Sequence, residues 1–192
     1  MKIGLMGLGD KRHIVYTLIR VLSNLGRTVI FTPNSQYLML SEEYLPEFEI
    51  CDAQMAIYNC DIDDLCKEYD LDAYSYVVYD IQREIPFDLD IGMILDSRDY
   101  YVAELKDREL DDVQLFSVQN CVKSELLTQE VTIKLPTASK IEKVLYKMFD
   151  ERRLLPVTNS DFIRGMTPFM TQITELSAGQ ISASLKKGVM EV

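Results

Sequence analysis

The first 32 residues, MKIGLMGLGDKRHIVYTLIRVLSNLGRTVIFT, constrain the fold of this chain more than any other stretch. Apolar side chains at positions 3, 5 and 6 predict a short buried strand, and Gly7–Lys11 predicts a tight loop. Apolar residues at helical spacing then predict a helix over 14–25, which ends at Gly26 before a second strand over 28–31. Together these segments predict a βαβ unit.

The glycine loop of this unit is suited to an anion. Its backbone N–H groups precede a helix, whose dipole favours negative charge at that end. The sequence therefore predicts a phosphate site at this loop, which contains Gly7, Gly9 and Lys11.

The same residues resemble the opening of the ParA/MinD-like ATPases, a branch of the P-loop NTPases. The loop of that family reads K-G-G-x-G-K-T-T and leads through a helix into L-G-basic-x-V. When Leu25–Val29, which reads LGRTV, is aligned with the end of that helix without a gap, Lys11 falls on the phosphate-binding lysine and Gly7 on a loop glycine. The resemblance implies a bacterial protein for which ATP is a possible ligand. A cytoplasmic location is the default expectation, because the sequence shows neither a targeting pattern nor a membrane span.

Several positions depart from the family pattern. Met6 replaces the extra lysine, Leu8 and Asp10 replace loop glycines, and Thr32–Pro33 stands where the second strand should end in an aspartate. Asp10 would repel a triphosphate by about 1 to 4 kcal/mol, depending on the local dielectric. Arg12 replaces the hydroxyl residue that holds Mg²⁺, and it has no acceptor to offer, although it could present a cation to an anion. We therefore expect no hydrolysis and no catalytic residue, and Mg²⁺-dependent binding is not expected.

Two later positions continue the resemblance. Asp80 ends the strand predicted over 74–81, where the family places an acid in the second shell of the metal. Asn120 follows the strand predicted over 112–118, where the family places an asparagine that reads adenine. From the residues alone, Asp80 could equally be an acid that caps the following turn. Asn120 could likewise be an ordinary polar residue at a strand end. The resemblance implies six nucleotide contacts in all, by Gly7, Gly9, Lys11, Arg12, Asp80 and Asn120.

The remaining chain continues the alternation of strands and helices. Further strands are predicted over 53–59, 91–96 and 154–157, and further helices over 62–69, 99–109 and 141–153. Residues 126–135 predict either a hairpin or one strand, and 41–48 predicts irregular structure. A terminal helix is expected from residue 167, interrupted near Gly179, with its apolar side chains in the core rather than on lipid. This pattern predicts an α/β, doubly wound, mainly parallel sheet flanked by helices, as in P-loop NTPases.

Charge is distributed unevenly along the chain. The net charge of −11 divides into +4 for residues 1–41, −17 for residues 42–112 and +2 for residues 113–192. Non-specific nucleic-acid binding needs a basic surface, which this distribution does not favour. The acidic middle predicts either a solvated surface or a docking face for a basic partner.

Length and cysteine content limit the number of domains and the metal chemistry that we expect. A chain of 192 residues predicts one domain, 1–192, and neither a targeting segment nor a membrane span is expected. The four cysteines have no close C-x-x-C pairing, which favours buried free thiols in a reducing compartment over a metal site. The lone histidine, His13, is expected to be a solvated or capping residue and not part of a catalytic triad.

Three functional hypotheses follow. The leading one is a degenerate ParA/MinD-like protein, a pseudo-ATPase that acts as a scaffold or localisation factor through a homodimer and a protein partner. The second is an active ATPase with an unusual loop, in which Lys11 holds phosphate and Asp80 holds the metal. The third, a small-molecule enzyme on a Rossmann-like frame, lacks the G-x-G-x-x-G pattern, because Arg12 stands three residues after Gly9.

Overall fold

A computed structural model describes the fold over residues 1–7, 10–33, 47–50, 52–58, 64, 67–82, 88–95, 113–118, 130–135 and 156–186. These residues form one eight-stranded sheet, in the order β3-β4-β2-β5-β1-β6-β7-β8. The strands are β1 (Lys2–Met6), β2 (Thr28–Thr32), β3 (Glu47–Ile50), β4 (Ala53–Ile57), β5 (Tyr76–Ile81), β6 (Ile91–Ile94), β7 (Gln114–Val118) and β8 (Glu130–Ile133).

The sheet is parallel except at one edge. Strand β1 pairs in parallel with β5 on one side and β6 on the other, and every further pairing is parallel apart from β3 with β4. The parallel strands are rich in β-branched and aromatic residues that are buried on both faces. This confirms the predicted α/β fold with a mainly parallel sheet.

Three helices and one short 3₁₀ turn are described. They are α1 (Arg12–Leu22), α2 (Ser160–Thr174), α3 (Ala178–Lys186) and the 3₁₀ turn Leu71–Ala73. Helix α1 is buried from Ile14 to Leu22, because it lies against the sheet with apolar residues around most of its circumference. Helix α2 begins at an Asn159 cap, whose side-chain oxygen accepts the backbone N–H groups of Asp161 and Phe162 at 3.0 Å each.

The sheet separates two apolar clusters. Alternate residues of the central strands point to opposite faces, so that Ile30 and Val78 join the cluster containing α1, α2 and α3. Phe31 and Tyr79 join the second cluster on the other face, where the rings stack at 5.7 Å between centroids. The central strands thus lie between two packed apolar layers.

The structure corrects three sequence expectations. Residues 47–48, expected to be irregular, begin β3, because its alternation of Glu and apolar residues fits an edge strand with one solvated face. Residues 156–157, expected to be strand, are not strand, and the terminal helical region begins at Ser160 instead of residue 167. The helical break lies at 175–177 and not at Gly179, because Glu175 adopts a left-handed conformation at the end of α2.

Other expectations agree or lie outside the described residues. Ile181 and Leu185 of α3 are completely buried, which confirms that the terminal helix packs in the core. Within 126–135, residues 130–133 form strand β8 and residues 126–129 lie outside the described residues, so the choice between a hairpin and one strand stays a prediction. Helical conformation is described at Asp64, Lys67 and Glu68 within 62–69. The helices predicted over 99–109 and 141–153 and the four cysteines, at 51, 60, 66 and 121, lie outside the described residues.

None of the described helices has both the length and the apolar content needed to cross a bilayer.

Two helical glycines give a matched test of the packing of α2 against the sheet. A Cβ atom at Gly165 would lie 2.1 Å from the carbonyl oxygen of Lys134, whereas one at Gly179 would meet nothing within 4 Å. We expect Gly165→Ala to lower the free energy of unfolding by about 1 to 3 kcal/mol, because the new methyl group fits only if the backbone at Lys134 or in α2 moves. Gly179→Ala should raise it by up to about 1 kcal/mol through helix propensity. Urea unfolding measures both, and equal effects would contradict the described packing.

Candidate functional site

The candidate site lies at the carboxyl ends of β1, β2 and β5. These three strands are neighbours in the sheet, in the order β2-β5-β1, and the loop after β1 leads directly into α1. Ligands of open α/β sheets bind at this edge, because parallel strands and helix N-termini converge there. The polar residues at this edge therefore define what the site can hold.

Lys11 is the central charge of the site. It precedes α1, and its side chain is only 2% exposed. The Nζ atom lies 2.7 Å from Oδ1 of Asp80 and donates to the carbonyl oxygen of Ile81 at 2.6 Å, and it also donates to the carbonyl oxygen of Gly7. An ammonium has three N–H donors, and here two backbone carbonyl groups accept from it while a carboxylate lies beside it as an ion-pair partner.

Asp80 is the counter-ion of Lys11. Its side chain is 3% exposed, and it contacts Lys11 through Oδ1 as an ion pair rather than as an aligned hydrogen bond. The second oxygen, Oδ2, accepts the hydroxyl proton of Thr32 at 2.7 Å. Tyr58 adds a hydrogen bond from its hydroxyl to the backbone carbonyl of Asp80 at 3.2 Å. Both carboxylate oxygens are therefore engaged by residues of neighbouring elements.

Gly7 begins the loop in a conformation that favours glycine. Its φ is 151°, and its N–H donates to the carbonyl oxygen of Ile81 at 3.1 Å. Its own carbonyl oxygen accepts from Lys11. In this arrangement the polar backbone groups of Gly7 point at the protein, so they do not form an amide cradle for phosphate.

Asp10 and Arg12 form a second charge pair, at the start of α1. Nε of Arg12 lies 2.9 Å from each carboxylate oxygen of Asp10, and its Nη2 also contacts Oδ2. The backbone N–H of Arg12 donates to Oδ1 of Asp10 at 3.0 Å. Asp10 therefore places a carboxylate at the helix N-terminus, the position where the dipole favours an anion.

The electrostatics of Asp10 follow from these contacts. Partial burial would raise the pKa of Asp10, but the hydrogen bonds and positive charge of Arg12 outweigh it and lower the pKa below its usual value of 3.8. Asp10 is therefore ionised at neutral pH. Arg12 is directed to this carboxylate, and not toward an open anion site as the sequence allowed.

His13 packs against α2. Its ring lies 5.9 Å from the ring of Phe162, and the residue is partly buried, so the expectation of a solvated or capping residue is wrong. Burial lowers the pKa of His13 from 6.5 to about 4; Asp10 opposes this shift and Arg12 adds to it. The contact arises because the side chain of His13, in the first turn of α1, lies on the side of that helix next to Phe162 of α2.

The structure brings some predicted site residues together and leaves others apart. Gly7, Lys11 and Asp80 meet in one hydrogen-bonded network, while Arg12 turns to Asp10. Gly9 and Asn120 lie outside the described residues. Within the described part of the chain, no group of three or more His, Cys, Asp or Glu residues could hold a metal ion. The nucleotide-binding role of these residues stays a prediction.

Two network members were missed by sequence reasoning. Thr32 was noted only for standing where the family has an aspartate, and Tyr58 was not considered. The available signal was their position at strand ends: Thr32 ends β2, the neighbour of β5, and Tyr58 follows β4, which lies on the other side of β2. Strand order was needed to use that signal, and it was not predicted.

A Mg²⁺·ATP complex does not fit the residues as they are arranged. Arg12, which the sequence resemblance aligns with the metal-ligand position, offers donors only, and Asp10 holds a carboxylate at the N-terminus of α1. Lys11, which the resemblance aligns with the phosphate-binding lysine, is buried against Asp80. No step of phosphoryl transfer can be assigned to this arrangement.

Comparisons with known proteins agree with the fold. No protein-family model and no curated protein matches the sequence. Among solved structures, the chain is similar to the MinD cell division protein of Aquifex aeolicus, with a TM-score of 0.51 and 10% sequence identity over 97% of this chain and 95% of that one. The chain therefore shares the overall α/β fold of that protein.

The buried pair Lys11–Asp80 should contribute strongly to stability. We expect Lys11→Met or Asp80→Asn to lower the free energy of unfolding by about 3 to 5 kcal/mol, because each leaves a buried partner uncompensated. The double variant should lose less than the sum of the two, with a coupling of about 1 to 3 kcal/mol. Chemical denaturation of the four proteins measures the cycle.

Lys67→Met is the matched control for this cycle. Lys67 pairs with Asp64 at 2.7 Å, the same separation, but the side chains are 74% and 70% exposed. Solvent screening should keep its effect at or below about 1 kcal/mol. A similarly small effect of Lys11→Met would contradict the network described here.

His13 should make stability depend on pH between about 4 and 6.5. Because the folded pKa is about 4 and the ordinary value is 6.5, the unfolded chain binds the proton first as pH falls. The contribution of His13 to the free energy of unfolding is therefore complete above pH 6.5. It is lost as the pH falls toward 4, by about 2 kcal/mol between pH 7 and pH 5. His13→Gln should remove that part of the pH dependence in urea unfolding, and an unchanged slope would contradict it. Asp10 should titrate below this window in both proteins.

Proposed function

We propose that this protein is a degenerate ParA/MinD-like P-loop protein that does not hydrolyse ATP and acts as a scaffold or localisation factor through protein–protein interaction. One observation carries the proposal: the lysine that aligns with the phosphate-binding lysine is enclosed by Asp80 and two backbone carbonyl groups. A lysine in this position cannot meet a phosphate until those contacts break.

The second charge pair supports the loss of hydrolysis. Phosphoryl transfer needs a metal ion that neutralises charge on the transferred group, and P-loop proteins supply a hydroxyl ligand for it. Here that position is an arginine paired with an acid. Catalysis by this loop would require at least two charge pairs to open and a different ligand to reach the metal.

The interaction role rests on the fold and on charge. The MinD-like fold is compatible with self-association, and we propose a homodimer that recruits a protein partner. Exposed acids in the described part of the segment 42–112, whose net charge is −17, include Glu47, Glu49, Asp70, Asp72 and Asp88. Exposed negative charge favours a basic partner by electrostatic steering. Cytoplasmic location is part of this proposal.

The alternative function is an active ATPase of the ParA/MinD type. It requires Lys11 to turn outward and Asp80 to take the metal, so the buried ion pair between these two residues would have to open. Calorimetry separates the two functions directly.

We expect titration of the protein with ATP to show no Mg²⁺-dependent heat at millimolar nucleotide and no phosphate release. Light scattering over a range of protein concentrations should show a dimer that does not change when Mg²⁺·ATP is added. Mg²⁺-dependent binding with turnover that Lys11→Ala abolishes would overturn the proposal in favour of the ATPase.

The double variant Asp10→Gly with Arg12→Thr is the positive control. It restores the glycine and hydroxyl residues of the family loop and removes the charge that opposes phosphate. We expect it to gain at least about tenfold in Mg²⁺·ATP affinity over the wild type. A folded double variant with no gain would show that the alignment of this loop is wrong.

A further inference from the structure

The connection between α2 and α3 is short, and its backbone is strained at one residue. Helix α2 ends at Thr174 and α3 begins at Ala178, so the connection consists of residues 175–177. Glu175 adopts the left-handed conformation, with φ of 59° and ψ of 7°. Many helices end in this conformation, but usually at glycine, because a Cβ atom crowds the backbone there. The connection therefore holds a glutamate where a glycine would be without strain.

The same connection has the composition of a helix. Glu175 and Leu176 have high helix propensity, and residues 175–177 include neither glycine nor proline. The break is stabilised by a capping box at the start of α3. The N–H of Ser177 donates to Oε1 of Gln180 at 3.0 Å, and Oγ of Ser177 accepts the N–H of Gln180 at 3.4 Å. These residues can therefore form either the observed turn or a helix that joins α2 to α3 and relieves the strain at Glu175.

Helix α3 is held by contacts that a second copy of the chain can also supply. Ile181 and Leu185 are completely buried, and α3 packs against α1 and α2. The N–H of Val157 donates to the carbonyl oxygen of Leu185 at 2.8 Å. Nη2 of Arg20 lies 3.5 Å from the carbonyl oxygen of Ser184. A second copy carries the same α1–α2 surface and the same donors, so an α3 from either chain fits it equally well.

We propose that two copies of this chain exchange α3, so that each α3 packs against α1 and α2 of the other copy in a domain-swapped homodimer. The proposal rests on the proposed function, which includes a homodimer but does not name its surface. The exchange keeps the packing of α3 and removes the left-handed conformation of Glu175 from both chains. Short connections under strain favour such an exchange over a closed monomer.

Two substitutions of Glu175 test the role of the connection. Glu175→Gly removes the strain of the turn and lowers the helix propensity of the connection, so the dissociation constant of the dimer should rise at least about tenfold. Glu175→Ala keeps the strain and favours the helix, so its dimer should be at least as tight as that of the wild type. Sedimentation equilibrium measures both constants. Both variants lose the same carboxylate, so charge cannot explain a difference between them.

Gly179→Ala is the matched control. Residue 179 lies within α3, so it is helical with or without exchange, and a Cβ atom there would meet nothing within 4 Å. The substitution raises helix propensity outside the connection and should leave the dissociation constant unchanged.

Isotope-filtered NMR of the wild type tests the exchange itself. Chains with ¹³C-labelled methyl groups and unlabelled chains are mixed in urea and refolded together. We expect nuclear Overhauser effects between Leu185 of one chain and Val157 of the other.

Three results would each overturn the proposal: a Leu185–Val157 contact made only within one chain, equal dissociation constants for the two Glu175 variants, or a wild type that stays monomeric at every concentration. None of these measurements involves a nucleotide. Failure of the exchange can therefore be distinguished from failure of the pseudo-ATPase proposal, which Mg²⁺-dependent turnover decides.

Discussion

The burial of one lysine beside one aspartate is the constraint on which the arrangement of the site depends. Moving two ions out of water costs several kcal/mol for each, and the cost is recovered only when geometry and further hydrogen bonds are favourable. Lys11 and Asp80 have further hydrogen bonds of this kind: Nζ of Lys11 donates to the carbonyl groups of Gly7 and Ile81, and the hydroxyl of Thr32 donates to Asp80. The pair thereby ties the loop after β1 to β5 and β2.

The sheet explains why these particular residues meet. Parallel strands bring their carboxyl ends to one edge, and β5 lies between β1 and β2. Asp80 extends from β5 toward the loop on one side and toward Thr32 on the other. The same edge that serves as a ligand site in open α/β proteins here holds a network of the protein's own charges. Fold and chemistry thus separate: the α/β frame resembles that of MinD, whereas the polar groups described at this edge are directed toward one another.

The sequence predicted the frame better than the site. Apolar runs such as those of β1 and β5 are strong signals because buried parallel strands need continuous β-branched and aromatic residues. Edge strand β3 was missed because its glutamates resemble a loop when the partner strand is unknown. Pairing of Arg12 with Asp10, the contact of His13 with Phe162 and the bond from Thr32 to Asp80 all depend on rotamers or strand order. Neither is encoded in residue spacing.

A crystal structure of the protein grown in excess Mg²⁺ and a non-hydrolysable ATP analogue tests the central claim most directly. The account predicts that Nζ of Lys11 stays beside Asp80 and that Asp10 still accepts from Arg12, with no octahedrally coordinated ion at the start of α1. An analogue whose β- and γ-phosphates are held by Lys11, next to an ordered metal ion, would contradict it.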